Sequence, residues 1–107
     1  MPRPRKFRRI WNVPNVTLYK PAGVPGFNIE VVVLTPDELE ALRLKDYEGF
    51  DQNTAAEKMN ISQPTFYRIL SSARKKIADA LINGKAIQIE KSNYDYIDFV
   101  NKDFVDE

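Results

Sequence analysis

From Phe66 onward, apolar residues recur at spacings of three and four: Phe66, Ile69, Leu70, Ala73, Ile77, Ala80 and Leu81. That period places them on one face of a helix, which predicts one continuous buried stripe. At about 100° per residue, Arg68, Ser71, Ser72 and Lys75 fall opposite the stripe. Tyr67 and Arg74 flank it on one side, Thr65 and Lys76 on the other. A shorter helix precedes it. Asp51 caps a segment running to Met59, in which Ala55 and Ala56 are small enough to let a second helix approach closely. Asn60 falls where the chain must leave this segment, and Asn tolerates the left-handed backbone better than other side-chain-bearing residues. Ser62 then caps the long helix. Pro64 has no N–H, so Ser62 is expected to accept from Thr65. Two helices are thus set end to end around a turn of three residues, Asn60 to Ser62, and are expected to meet at a fixed large angle.

Another helix opens at "TPDELEALRLKDYEG". Thr35 is its N-cap, Pro36 its first residue, and Glu38 completes a capping box, with Asp37 favouring the positive end of the dipole. Leu39, Leu42, Leu44, Tyr47 and Phe50 spread around this helix, which predicts cover on two sides. Gly49 is expected to end it. The acids of "DELE" and "DYE" are expected to form a solvated face. Upstream, β-branched and aromatic residues predict strands at Val16–Tyr19 and Ile29–Leu34, separated by the turn-rich "KPAGVPG" and expected to pair with each other. "KAIQIE" (Lys85–Glu90) alternates and predicts one more short strand. The fold class is mainly α, three helices with short flanking β-strands. Residues 1–93 form one domain with an extended arm at 1–9, where Pro2 and Pro4 discourage regular structure. Residues 94–107 form an acidic, aromatic tail that is either disordered or docked, through Tyr94, Tyr96 and Phe99, on the body or a second subunit.

The chain has 107 residues, room for one modest core, and neither Cys nor His. That removes disulfides, zinc fingers, thiolate nucleophiles and imidazole acid–base work. No Gly-rich phosphate cradle accompanies the carboxylates, so no catalytic residue, metal or cofactor is expected, and the protein is read as a non-enzyme. No apolar run spans a bilayer and no signal-like stretch follows the basic start, so a soluble cytoplasmic protein off the membrane is expected.

The net charge is +1, but its distribution is uneven. Arg3, Arg5, Lys6, Arg8, Arg9 and Lys20 occupy the first twenty residues without an acid, while Asp95, Asp98, Asp103, Asp106 and Glu107 crowd the end. A polyanion is the expected partner of the first part. The outward face of the long helix is acid-free from Ser62 through Ala78. Base edges want donors that also accept, and phosphates want cations. Gln63, Thr65, Tyr67, Arg68 and Ser71 are therefore the base-contact candidates. Arg3, Arg5, Lys6, Arg8, Arg9, Ser62, Ser72, Arg74, Lys75 and Lys76 are the phosphate-contact candidates.

Ala55, Ala56, Met59, Ile61, Phe66 and Ile69 resemble the apolar skeleton of a helix-turn-helix, with Asn60 where many members have Gly. "LEALRLKDYEGFDQNTAAEKMNISQPTFYRILSSARKKI" resembles the last DNA-binding region of bacterial sigma factors, which reads the promoter −35 element. Residues 1–93 resemble, more closely, a family of small, uncharacterised archaeal and bacterial proteins described as DNA-binding. The shared motifs are "RPRK" (Arg3–Lys6), "KPAG.P" (Lys20–Pro25), "LT..ELEALRL" (Leu34–Leu44) and "NGKA" (Asn83–Ala86). The resemblance implies a trihelical, sigma-region-like helix-turn-helix and sequence-specific double-stranded DNA binding by a transcriptional regulator. A homodimer is expected, since one helix reads few base pairs. The rival readings are a protein-interaction module, with RNA polymerase as partner of the acidic Thr35–Gly49 helix, and RNA binding by the arm. A minority reading lets the acidic tail compete with DNA for the arm.

Overall fold

The computed structural model describes residues 8–10, 17–25, 28–90 and 97–99, the first and last of these as paired backbone. Helix α1, Pro36–Leu42, starts on the expected reciprocal cap: Thr35 Oγ1 accepts from the Glu38 N–H, and Glu38 Oε1 accepts from the Thr35 N–H at 2.9 Å. The helix then widens into a π segment, Arg43–Tyr47, where the sequence predicted α-helix up to Gly49. Two contacts share the five-residue spacing of a π turn. The Glu48 N–H donates to the Arg43 carbonyl at 2.8 Å, and the Arg43 guanidinium reaches the Glu48 carboxylate at 3.1 Å. The wider turn rotates later residues around the axis, so Leu44 stays buried while Tyr47, expected to be covered, is 83 % exposed. Gly49 ends the segment at φ 84°, and the Phe50 N–H returns to the Leu44 carbonyl.

Helix α2 is Gln52–Lys58, capped by Asp51 Oδ1, which accepts from the Thr54 N–H at 2.7 Å. Helix α3 is Gln63–Asn83, capped by Ser62 and ended by Gly84 at φ 65°. At 21 residues it is about 31 Å long and touches α1 and α2 as well as the sheet. The core is built from Ala41, Leu44, Ala55, Ala56, Met59, Phe66 and Leu70, with Leu42, Phe50, Ile61 and Ile69 packed around it. The predicted stripe of α3 is buried at Phe66, Leu70, Ala73 and Ala80, and half-buried at Ile69 and Ile77. It fails at Leu81, which is 75 % exposed, because the elements that cover Ala80 do not reach around to its neighbour.

The expected pairing of the first two strands of the body does not form. Strand β4, Ala86–Ile89, lies between β2, Leu18–Tyr19, and β3, Val31–Leu34, antiparallel to the first and parallel to the second. Val32 and Tyr19 both register with Ile87, so the chain returning from α3 fills the centre of the sheet. Strands β2 and β3 therefore flank a third strand rather than closing a hairpin. Leu34 and Ile89 are buried. A second, two-stranded sheet pairs β1, Arg8–Ile10, in parallel with β5, Ile97–Phe99, in register Arg9 to Asp98. The arm residues Arg8 and Arg9 are thus strand residues beside part of the tail. Arg3, Arg5, Lys6, Trp11, Tyr94 and Tyr96 lie outside the described residues.

The acidic face expected from "DELE" is not solvated. Asp37, Glu38 and Glu40 are buried. The cap fixes Glu38 at the first turn of α1, where it meets α3 and takes hydrogen bonds from it. Glu40 accepts from Arg43 Nε and Nη2, both at 2.9 Å. Asp46 and Glu48 are exposed as expected, each engaged by an arginine.

Candidate functional site

The turn between α2 and α3 is built from local chemistry. Asn60 takes φ 60°, the left-handed conformation its side chain tolerates. The Ile61 N–H donates back to the Ala56 carbonyl at 3.1 Å, and the Met59 N–H to Ala55 at 3.1 Å. Ala55 and Ala56 are buried against α3, so the short helix holds the long one at close range. What α2 and α1 leave open is the outward face of the first turns of α3.

Gln63, Tyr67, Arg68 and Ser71 are exposed there, and Thr65 is half-buried. The side chains of Ser62, Thr65 and Arg68 form a chain of hydrogen bonds. Ser62 Oγ accepts from the Thr65 N–H at 3.3 Å and donates to Thr65 Oγ1 at 2.9 Å. Arg68 Nη2 donates to the same Thr65 Oγ1 at 3.3 Å. The guanidinium is thereby drawn toward the N-terminus of α3 while its other donors remain open to solvent.

Further along α3 the candidates divide. Lys75 is exposed. Arg74 forms a bidentate pair with Asp46 of the π segment, at 2.6 and 3.1 Å. The hydrogen bond from Arg74 holds the Asp46 carboxyl below its usual range against the upward push of partial burial, and Asp46 in turn raises Arg74. Ser72 and Lys76 reach back to Glu38, at 2.5 and 2.9 Å, and Lys76 Nζ also donates to the Val33 carbonyl at 2.7 Å. Burial is the largest single influence on Glu38 and pushes it up. The hydrogen bonds from Lys76, Ser72 and the Thr35 N–H together outweigh it and hold the carboxyl below its ordinary value. Ser72 and Lys76 therefore fasten α3 to α1 and β3. Sequence reasoning missed this clamp. The one signal available was the four-residue spacing of Ser72 and Lys76, which puts two donors on one side of the helix.

Among the described residues no group of His, Cys, Asp and Glu is arranged to hold a metal ion, and no helix is long and apolar enough to cross a membrane. The family whose sequence model matches residues 1–97 is described as protein of unknown function DUF134. A UPF0251 protein of Caldanaerobacter subterraneus subsp. tengcongensis is 57 % identical over 94 residues, covering 88 % of this chain and 80 % of that protein. One from Dehalococcoides mccartyi is 59 % identical over 90 residues, 84 % and 77 % of the two chains. One from Pelotomaculum thermopropionicum is 48 % identical over 100 residues, 94 % and 76 %. No solved structure matches.

Proposed function

The chain belongs to the family described as protein of unknown function DUF134, and from that premise we propose that it is a sequence-specific double-stranded DNA-binding protein, a transcriptional regulator. In this reading α2, the Asn60 turn and the start of α3 act as a helix-turn-helix, and α3 enters a major groove. Gln63, Thr65, Tyr67, Arg68 and Ser71 meet base edges. Ser62, Arg74, Lys75 and the basic arm meet phosphates, Arg74 by exchanging Asp46 for a phosphate oxygen. The role is binding without catalysis, in the cytoplasm.

The observation that carries the proposal is the Ser62–Thr65–Arg68 chain at the exposed start of a helix that carries no acid from its cap at Ser62 through Ala78. Arginine presents a fork that matches O6 and N7 of guanine, and a tethered fork loses less freedom on binding. The polymerase-partner reading relied on an acidic surface along the helix from Thr35. Burial of Asp37, Glu38 and Glu40 takes most of that surface away.

The test is anisotropy against duplex DNA, single-stranded DNA and RNA with salt varied, after selecting a preferred duplex from a random pool. Preference for one duplex is expected, with log affinity falling linearly on log salt. Arg68→Ala is expected to cost about 1–3 kcal/mol on the preferred duplex and to relax one base position. Equal loss on every sequence makes Arg68 a phosphate contact; equal or tighter binding of RNA overturns the proposal.

A further inference from the structure

The far end of α3 carries a patch with no role in that reading. Leu81 and Ile82 are 75 % and 79 % exposed in the last turn of the helix, far from the proposed base readers. Beside them lies a groove of about 360 Å³, walled by Tyr19, Pro21, Ala80, Leu81 and Ile87 with Lys20 and Lys85 at its sides. Exposed aliphatic side chains next to an apolar groove mark an interaction surface.

We propose that this patch is the homodimer interface, Leu81 of each copy entering the groove of the other and the two Ile82 side chains meeting beside the two-fold axis; the proposal rests on the DNA-binding reading. Three observations select a second copy as the occupant. First, the patch holds both the protruding side chains and the groove, the self-complementarity that an isologous contact requires. Second, the exposed parts of Tyr19, Leu81 and Ile82 come to roughly 400 Å² per copy, about half of what each partner buries in a standard interface. With the groove walls and the stems of Lys20 and Lys85 beside it, the patch has the size of a small interface, at the low end of those that hold specific complexes. Third, the position fits. Leu81 lies 13 residues after Arg68, about 20 Å along the helix. Two copies joined at their α3 C-termini hold their readers at most about 40 Å apart, and a modest tilt of the helices brings this to the 34–36 Å of one DNA turn.

The experiment measures assembly and DNA binding separately. Sedimentation equilibrium of the full chain is expected to show a dimer, and Leu81→Glu with Ile82→Glu a monomer with an unchanged circular dichroism spectrum. Because the chain has no cysteine, Ile82→Cys gives an independent reading that does not depend on a disruptive variant. Oxidation is expected to yield a covalent dimer from Ile82→Cys but not from Tyr47→Cys, an exposed position outside the patch. On duplexes with two half-sites about 10 base pairs apart, the double variant is expected to lose affinity by roughly 10²-fold while binding one half-site as wild type does. A wild-type monomer, or a dimer that persists in the double variant without an Ile82→Cys cross-link, overturns the interface. A dimer disrupted by the variant that binds no duplex upholds the interface and overturns the DNA reading alone.

Discussion

Glu38 closes the capping box of α1, accepts from Ser72 and Lys76 of α3, and so ties the candidate reading helix to the helix that begins the core. Half of that was legible. The three-residue spacing from Thr35 announces the cap, because both partners lie within one turn. The clamp on α3 joins residues 34 and 38 positions apart, and no local pattern encodes such a pairing. The same blindness produced the expectation of a solvated acidic face: acids at a helix start are usually exposed, but here α3 brings donors to Glu38 and Arg43 supplies them to Glu40. The clamp makes stability depend on pH. Glu38 is held below the ordinary glutamate value of 4.5 in the folded state. Its contribution is complete above that value and is lost as pH falls through the depressed folded one. Glu38→Gln is expected to cost about 1–2 kcal/mol at neutral pH, discounted because Lys76 is partly solvated. The gap between variant and wild type is expected to narrow as acid protonates Glu38. Urea midpoints measured from pH 7 down to pH 3 check this, and a gap independent of pH removes the charge from the account.

At the scale of elements, what the sequence disclosed and what it hid divide by range of interaction. The caps at Thr35, Asp51 and Ser62, the stop at Gly49 and the left-handed Asn60 rest on neighbours within a few positions, and each is where local chemistry puts it. The strand order is non-local, and the hairpin expected between Leu18–Tyr19 and Val31–Leu34 gives way to insertion of Ala86–Ile89. The π segment was hidden for another reason: α and π turns share residue preferences, and the choice here is tied to the Arg43–Glu48 pair. The α2–α3 turn is the element on which the candidate site depends. A β-branched residue at φ 60° meets its own carbonyl, a cost of about 1–2 kcal/mol. Asn60→Val is therefore expected to lose about that much stability, and Asn60→Gly to stay within a few tenths of a kcal/mol of wild type. Thermal or urea denaturation decides it; a valine variant as stable as wild type means that the turn adopts another backbone in solution.

At the scale of the whole molecule the charge is arranged by position rather than amount. The net value is +1, yet the first nine residues hold five cations and the last six hold three acids and one lysine. Strands β1 and β5 bring the two ends together, Arg9 registering with Asp98. Under the DNA-binding proposal the arm adds affinity without sequence preference, because phosphate carries no base information. Deleting residues 1–7 removes Arg3, Arg5 and Lys6 and leaves the β1–β5 pair in place. Each phosphate no longer neutralised is expected to flatten the slope of log affinity on log salt by about 0.9, so three lost contacts flatten it by at most about 2.7. The ranking of duplexes is expected to hold. A change confined to A·T-rich flanks instead means that the arm reads the minor groove. The acidic tail enters through a second truncation, of residues 101–107, which removes Asp103, Asp106 and Glu107 against Lys102. If the tail competes with DNA for the arm, this truncation raises affinity for all duplexes alike in the full chain and has no effect once residues 1–7 are gone. Affinity against salt for the four proteins, on the selected duplex and on a scrambled one, separates these outcomes. An unchanged slope on both duplexes after deletion of residues 1–7 means that the arm stays off the DNA, and its cations then belong to the acidic end of the same chain.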